Sequence, residues 1–204
     1  MHAINSFLLT TVFTAWGYQM TILELSAFIT SVIGVGLSIF GPRSTWPWWN
    51  VSSLLYAIWF FEYKYYASGA LQFVFIAGGT WGWFGWGKKG ATPGKLTRKN
   101  HLTCLAIFLA AWLVLNPLLI HLGAAATITD SFCFVGSCIA QYLMVKEKFE
   151  AWPLWFVVDS VYTYQYFHGK AYLTGTLYIL FVLMAVAGWR TWLKRANSLT
   201  ATAQ

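Results

Sequence analysis

The chain has 204 residues, of which 58% are hydrophobic, 20% aromatic and only 9% charged. Soluble globular proteins usually carry about 25% charged residues, so this composition excludes an ordinary soluble domain. The formal net charge is +7, and the basic residues cluster between long apolar stretches. The chain is therefore predicted to be an integral membrane protein.

Residues 1–20 form an apolar N-terminal segment that Asn5, Gln19 and several threonines interrupt. A transmembrane helix needs about 20 predominantly apolar residues. The segment is therefore predicted to be an interfacial helix or a re-entrant lid, with an eighth span as the alternative. A cleavable signal peptide is not expected, because no positively charged region precedes the apolar core.

Seven apolar stretches follow, and each is close to the length that crosses a bilayer. They are predicted to be transmembrane helices joined by short loops, which makes the protein an all-α membrane protein. Their approximate bounds are 21–40, 48–63, 67–86, 102–122, 127–146, 154–167 and 172–193.

The basic residues fall unevenly on the two sides of this topology. By the positive-inside rule, the basic loop 87–100 and the tail 194–204 are predicted to be cytoplasmic and the N-terminus to be outside. The composition of the loop indicates a flexible connector near anionic lipid, and the absence of interleaved aromatic residues argues against nucleic acid. One side holds Arg43, Lys88, Lys89, Lys95, Arg98, Lys99, Lys146, Lys148, Arg190, Lys194 and Arg195, and the other holds Lys64 and Lys170.

The chain contains an internal repeat, since residues 46–86 align with residues 152–192 without a gap. Fourteen of the 41 aligned pairs are identical, and most of these are aromatic residues or glycines. Two three-helix repeats, 21–86 and 124–193, are therefore predicted, with the helix 101–123 as an inversion linker between them. This 3+1+3 order makes the repeats parallel, and substrate sites in such transporters lie near the midplane between the halves.

Two equivalent helical faces carry the leading candidates for a binding site. Positions spaced i, i+3, i+7 and i+10 share one face of a helix. Aromatic rings with a polar group between them suit a flat heteroaromatic ligand. The stripes are Trp46, Trp49, Ser53 and Tyr56 in the first repeat, and Trp152, Trp155, Asp159 and Tyr162 in the second.

Asp159 is a carboxylate about seven residues inside its span, roughly 10 Å below the boundary. Carboxylates inside a membrane usually face a cavity or pair with another group. Asp159 is therefore expected to line a cavity, with a structural hydrogen bond to a neighbouring helix as the alternative. Glu24 and Asp130 lie near the outer ends of their spans and are interpreted as carboxylates that the helix dipole stabilises.

Other polar and aromatic residues complete the predicted site. Gln72, Gln141 and Tyr178 are further candidates for substrate binding. Trp46 and Trp152 each precede a proline at the predicted boundary, so an interfacial aromatic belt explains them equally well. The predicted gate or interface aromatics are Trp46, Trp152, Trp83 and Trp189.

Other classes of protein fit less well. A membrane enzyme needs a nucleophile, paired carboxylates or clustered metal ligands, and the sequence has no HxxxH or DxxxD pairing. Free buried thiols are expected for Cys104, Cys133 and Cys138, which have no CxxC spacing. No catalytic residue, metal or cofactor is therefore predicted. A channel would need a continuous polar lining or a charged ring.

The W-P-x-W motif of the sixth span, the D-x-x-Y that follows it, and residues 172–192 resemble the PnuC family of vitamin transporters. The resemblance covers nearly the whole chain after about residue 20. It implies a bacterial inner-membrane protein with a 3+1+3 fold like that of SWEET sugar carriers. A homo-oligomer such as a trimer is also compatible with the resemblance. The resemblance also implies facilitated diffusion of nicotinamide riboside, which a cytoplasmic kinase then phosphorylates and traps.

The implied substrate agrees with the predicted site. Nicotinamide riboside carries a pyridinium cation and a ribose, which suit stacking and cation-π attraction by Trp and Tyr. Hydrogen bonds could come from Ser53, Gln72, Gln141 and Asp159. Thiamine is also a flat cation, so thiamine or another B vitamin stays as the alternative.

Overall fold

The computed structural model describes residues 7–15, 17–62, 66–121, 127–169 and 172–202. Within these ranges the chain forms a β-hairpin followed by seven α-helices. The strands are β1 (Thr11–Ala15) and β2 (Tyr18–Thr21), and the helices are α1 (Ile22–Phe40), α2 (Thr45–Glu62), α3 (Tyr66–Gly85), α4 (Arg98–His121), α5 (Thr127–Val145), α6 (Ala151–His168) and α7 (Tyr172–Thr202).

The seven helices coincide with the seven predicted spans. Four of them, α1, α4, α5 and α7, contain stretches long and apolar enough to cross a membrane. The protein is therefore a multi-pass membrane protein. The shorter helices α2 and α6 have 18 residues each, and their polar and aromatic side chains lower their hydropathy. These same side chains line the cavities described below.

Helix packing follows the same order in both halves of the chain. Helix α2 packs between α1 and α3, and α6 packs between α5 and α7. Across the halves, α1 contacts α7 and α3 contacts α5. Helix α4 contacts α5 and has no buried residue, so it lies at the edge of the bundle.

Glycines allow close packing at equivalent positions of the two repeats. A Cβ atom on Gly82 would overlap the ring of Trp46, and one on Gly188 would overlap the ring of Trp152. Helix α2 can therefore approach α3, and α6 can approach α7, only because these positions have no side chain. Phe61 and Phe167 also pack closely against glycines, since a Cβ on Gly69 would lie 3.1 Å from the Phe61 ring and one on Gly175 would lie 2.7 Å from the Phe167 ring.

The end of α1, the basic loop and the C-terminal part of α7 meet at one end of the bundle, which we call the basic end. Gly41 ends α1 with a φ of +74°, a conformation that favours glycine. Its carbonyl accepts a hydrogen bond from Ala91 N at 2.7 Å. The guanidinium of Arg195 donates to Phe40 O at 2.8 Å and to Ala91 O at 2.7 Å. Lys64 and Lys170, predicted on the opposite side, lie outside the described residues.

The basic loop is ordered by two carboxylates, contrary to the flexible connector expected from its composition. Thr92 donates its backbone N–H and its hydroxyl to Glu147 Oε2, at 3.0 and 2.8 Å. Leu96 N donates to Glu150 Oε1 at 2.9 Å. Hydrogen bonds to charged acceptors are stronger than neutral ones, so these contacts hold the loop against the α5–α6 connection.

The N-terminal segment contains strands where the sequence favours an interfacial helix. Strands β1 and β2 pair in antiparallel fashion, and Gly17 between them has a φ of +78°. Threonine, valine and phenylalanine favour extended backbone, which explains why β1 is a strand. The interfacial-helix interpretation is therefore wrong for residues 11–15 and 18–21, and the all-α prediction missed this hairpin. Residues 1–6 lie outside the described part of the chain.

Candidate functional site

A cavity of about 110 Å³ lies between the two halves of the bundle, and we call it the inner cavity. Side chains from α1, α2, α3, α5, α6 and α7 line it. Eight of the nine predicted substrate-binding residues are among them. These are Trp49, Ser53, Tyr56, Gln72, Trp155, Asp159, Tyr162 and Tyr178.

One wall of the inner cavity joins equivalent residues from the two repeats. The ring centroids of Trp49 and Trp155 lie 6.1 Å apart, and Phe75 contacts Trp155 edge-on at 5.9 Å. Aromatic pairs in such tilted or edge-to-face arrangements stabilise packing beyond the area they bury. The two halves of the chain therefore contribute to a single aromatic surface facing the cavity.

A cluster of tyrosines forms another part of the lining. The ring centroid of Tyr178 lies 4.8 Å from that of Tyr162 and 5.2 Å from that of Tyr166. Tyr166 is not among the predicted site residues, although it follows Tyr162 by one helical turn on the same face of α6. Extending the predicted stripe by one turn would have found it.

Asp159 places a carboxylate in the inner cavity and is 6% exposed. Its repeat equivalent, Ser53, lines the same cavity, so the two halves differ in charge at this level. The described lining residues of the inner cavity include no Lys, Arg or His. A carboxylate in a low-dielectric site attracts a positively charged ligand, because an unpaired buried charge is unfavourable.

Four serines also line the inner cavity and were not predicted as site residues. Ser31 and Ser137 are repeat equivalents, because 106 residues separate them, the same offset that relates Trp46 to Trp152. The Ser31 hydroxyl donates to Phe28 O at 2.8 Å. The Ser137 hydroxyl is buried without a hydrogen-bond partner among the described residues. Serines do not create a periodic pattern of hydrophobicity, so the other two, Ser52 and Ser68, gave no sequence signal.

Some predicted residues lie outside the inner cavity. Gln141 is 2% exposed, and its amide packs against Gly78 of α3 instead of lining the cavity. Trp83 stacks under the guanidinium of Arg43, whose Cζ lies 4.1 Å from the ring centroid. Trp189 is 38% exposed. These placements do not support a shared role for Trp83 and Trp189 at one gate.

Four buried tryptophans close the basic end, and we call them the tryptophan plug: Trp46, Trp86, Trp152 and Trp192, each at most 2% exposed. Trp46 contacts Trp86 with centroids 4.7 Å apart, and Trp152 contacts Trp192 at 5.8 Å. Trp152 also lines the inner cavity. Trp46 and Trp152 are among the predicted gate aromatics, whereas Trp86 and Trp192 are not.

A second cavity, of about 600 Å³, lies toward the opposite end, and we call it the outer cavity. The hairpin residues Tyr18 and Met20 form part of its wall, together with Glu24 of α1. It continues into the inner cavity, because seven residues line both. The shared residues are Tyr56, Phe60, Ser68, Gln72, Tyr166, Tyr178 and Phe181.

Comparison with known proteins identifies the family. Residues 21–194 match the family model described as nicotinamide mononucleotide transporter. The nicotinamide riboside transporter PnuC of Escherichia coli (strain K12) is 23% identical over 214 residues, covering 90% of each chain. The protein of the same name from Neisseria mucosa is 24% identical over 188 residues, covering 82% of this chain and 72% of the relative.

The fold also agrees with a solved structure. The crystal structure of the vitamin B3 transporter PnuC superposes with a TM-score of 0.75 and 24% sequence identity. The match covers 86% of this chain and 82% of that one. Because the family model spans most of the sequence and the fold agrees, this chain belongs to the nicotinamide mononucleotide transporter family, as its resemblance to PnuC predicted.

Proposed function

We propose that this protein takes up nicotinamide riboside across the membrane by facilitated diffusion. The observation that carries the proposal is the inner cavity, in which aromatic walls surround one carboxylate, Asp159. A pyridinium ring can stack on Trp155 and the tyrosines, while its positive charge is balanced by the carboxylate. The related proteins named nicotinamide riboside transporter support the same substrate.

The lining of the inner cavity favours the riboside over its phosphorylated form. The family description names the mononucleotide, whose phosphate would add about two negative charges. No Lys, Arg or His is present among the described residues that line the inner cavity, so a phosphate would face Asp159 without a counter-charge. Like charges at close range in a site of low dielectric are strongly unfavourable.

For the architecture, we propose two parallel three-helix repeats joined by α4 as the inversion linker. The matching contacts of Trp46 with Gly82 and of Trp152 with Gly188 support this 3+1+3 arrangement. The position of α4 also supports this arrangement. Helix α4 has no buried residue, and its main helix contact is with α5. A pseudo-twofold axis would then pass between Trp49 and Trp155.

Transport would proceed by alternating access around the inner cavity. The tryptophan plug closes the basic end, whereas the outer cavity leads from the inner cavity toward the opposite end. We propose that the basic end is cytoplasmic, as the positive-inside rule requires, and that the N-terminus lies outside. The described arrangement would then face the periplasm or cell exterior, and separation of the plug would release substrate inward.

Further features of the proposal follow from the resemblance to PnuC. The membrane would be the bacterial inner membrane, and a cytoplasmic kinase would trap the riboside by phosphorylating it. The protein itself would be a transporter and not an enzyme, without a metal or cofactor. A homo-oligomer such as a trimer is the proposed assembly in the bilayer. Thiamine or another B vitamin is the alternative substrate, since thiamine is also a flat cation.

The test is calorimetric titration of the detergent-purified protein with nicotinamide riboside, nicotinamide mononucleotide, thiamine and riboflavin. Saturable binding of the riboside alone is expected. Asp159→Asn should weaken that binding by about tenfold or more, because one charge pair is lost from a buried site. Ser160→Ala is the matched control, since the exposed Ser160 hydroxyl donates to Phe156 O within α6.

The four titrations separate the alternatives. Binding of thiamine alone would keep the transport mechanism and change the substrate. Binding of the mononucleotide as tightly as the riboside would contradict the charge argument. If none of the four ligands binds, the vitamin-transport proposal fails.

A further inference from the structure

Glu24 brings a second carboxylate to the substrate pathway, outside the inner cavity. It lies in the first turn of α1, lines the outer cavity and is 6% exposed. We propose that Glu24 and Tyr18 form an outer binding site for an aromatic cation, which the substrate occupies before it reaches Asp159. This inference rests on the proposed function and adds a step to it.

Local structure fixes the position of the Glu24 carboxylate. Thr21 caps α1, and its hydroxyl accepts a hydrogen bond from Glu24 N at 3.2 Å. Tyr18, on the hairpin strand β2, places its hydroxyl 2.8 Å from Glu24 Oε1 and 2.7 Å from Oε2. The hairpin thus holds an aromatic ring and a hydroxyl donor next to the carboxylate at the wall of the outer cavity.

Asp130 lies 106 residues after Glu24 and is therefore its repeat equivalent, but its environment is different. Its Oδ1 accepts a hydrogen bond from Gln165 Nε2 of α6 at 2.7 Å. Asp130 does not line either described cavity, whereas Glu24 lines the outer one. Stabilisation by the helix dipole is available to both residues, since each lies in a first turn. The dipole alone therefore does not explain why the carboxylate on α1 faces the pathway.

Aromatic residues connect the two carboxylates along the pathway. Tyr56, Tyr166 and Tyr178 line both the outer and the inner cavity. A flat cation that binds near Glu24 can therefore move inward over aromatic faces, which attract cations, until it reaches Asp159. The two negative charges lie in successive cavities, so the outer one attracts a cation and the inner one receives it.

This arrangement predicts an effect on rates more than on equilibrium affinity. A charge at the mouth of a binding pathway raises the association rate of an oppositely charged ligand. If the inner cavity holds the ligand at equilibrium, removing the outer charge should slow association and dissociation together. Removing the inner charge should instead weaken equilibrium binding.

The experiment measures riboside association and dissociation rates by stopped-flow tryptophan fluorescence on the full-length protein. Glu24→Gln is expected to slow both rates by about tenfold and to change the Kd by less than about twofold. Glu62→Gln is the matched control, because Glu62 is an exposed carboxylate at the end of α2 that does not line either cavity. It should leave both rates unchanged.

One further measurement separates charge from structure. The reduced riboside, whose dihydropyridine ring is neutral, should associate equally fast with wild type and Glu24→Gln. Slower association of the reduced riboside with Glu24→Gln would overturn the charge-based site in favour of a structural role.

The same rate measurements distinguish an error in the outer-site proposal from an error in the proposed function. If wild type binds the riboside but Glu24→Gln and Glu62→Gln have equal rates, the outer site is wrong and the proposed function stands. If wild type does not bind the riboside, the same rates are measured with thiamine as the second flat cation. Equal thiamine rates in the two variants would again refute the outer site.

Discussion

The indole rings of Trp86 and Trp192, which occupy equivalent positions in the two repeats, contact each other with centroids 5.8 Å apart. Each indole N–H donates to the other half of the bundle. Trp86 donates to Val145 O of α5 at 3.2 Å, and Trp192 donates to Ser38 O of α1 at 3.0 Å. The two repeats therefore hold each other closed at the basic end through reciprocal hydrogen bonds.

Replacing Trp192 with Phe should loosen the tryptophan plug. Phenylalanine keeps an aromatic ring but removes the N–H, which leaves Ser38 O without this donor. Losing one partner of a buried hydrogen bond costs about 1–3 kcal/mol. We expect a lower midpoint of thermal unfolding in detergent and faster reaction of a cysteine probe placed at the basic end.

The control for this variant is Trp189→Phe on the same helix. Trp189 is 38% exposed and does not belong to the plug, so its replacement should leave both readouts near those of wild type. Equal effects of the two substitutions would show that the hydrogen bond to α1 is not what closes the basic end.

Glycine at position 82 should be required for the close approach of α2 and α3. A Cβ there would overlap the buried ring of Trp46, so Gly82→Ala should lower stability by about 1–3 kcal/mol. Gly85 ends the same helix, and a Cβ there would meet only Trp81 Cδ1 at 4.0 Å. Gly85→Ala should be tolerated. The comparison is made by thermal unfolding, and equal midpoints for the two variants would contradict the packing argument.

The sequence predicted the features that depend on periodicity and repetition. An offset of 106 residues, as between Trp46 and Trp152, aligned the two repeats, and the i, i+3, i+7 spacing placed Trp155 and Asp159 on one face. Both residues line the inner cavity in the folded protein. Repetition is visible in a sequence because equivalent packing contacts require similar side chains.

Other features depend on the depth and rotation of whole helices, which no local pattern specifies. Trp83 and Trp86 are both near the end of α3, but only Trp86 turns into the plug, whereas Trp83 stacks with Arg43. The hairpin is not predictable from this pattern alone, because its threonines both interrupt an apolar helix and favour a strand. Tyr18 could not be linked to Glu24 without that hairpin.

The buried amide of Gln141 should reduce stability in the described conformation. Its Nε2 and Oε1 have no hydrogen-bond partner among the described residues. Since an unpaired buried polar group costs about 1–3 kcal/mol, Gln141→Leu should raise the thermal midpoint. The same change at Gln165 should lower it, because Gln165 Nε2 donates to Asp130 at 2.7 Å.

Gln141→Leu also tests function. If the Gln141 amide contacts substrate in another conformation of the transport cycle, Gln141→Leu should slow riboside uptake into proteoliposomes while it stabilises the protein. Uptake at the wild-type rate would contradict the substrate-binding role predicted for this residue from the sequence.

The basic loop should depend on its acidic partners for structure, whereas its own charges should not contribute to substrate binding. Replacing Lys88, Lys89, Lys95, Arg98 and Lys99 with Gln should leave riboside affinity within about twofold of wild type, because none of these residues lines a described cavity. A larger loss of affinity would show that the loop takes part in binding.

Glu147→Gln tests the acidic side of the same contact. The carboxylate accepts two hydrogen bonds from Thr92, and hydrogen bonds to a charged group contribute about 1.5–3 kcal/mol each. Weakening them should release the loop and speed tryptic cleavage after Lys88, Lys89 and Lys95 in the detergent-solubilised protein. The exposed Glu62→Gln variant should be cleaved at the wild-type rate. Because the loop bonds Gly41 on one side and Glu147 on the other, faster cleavage would also show that the loop is held between both halves at the basic end.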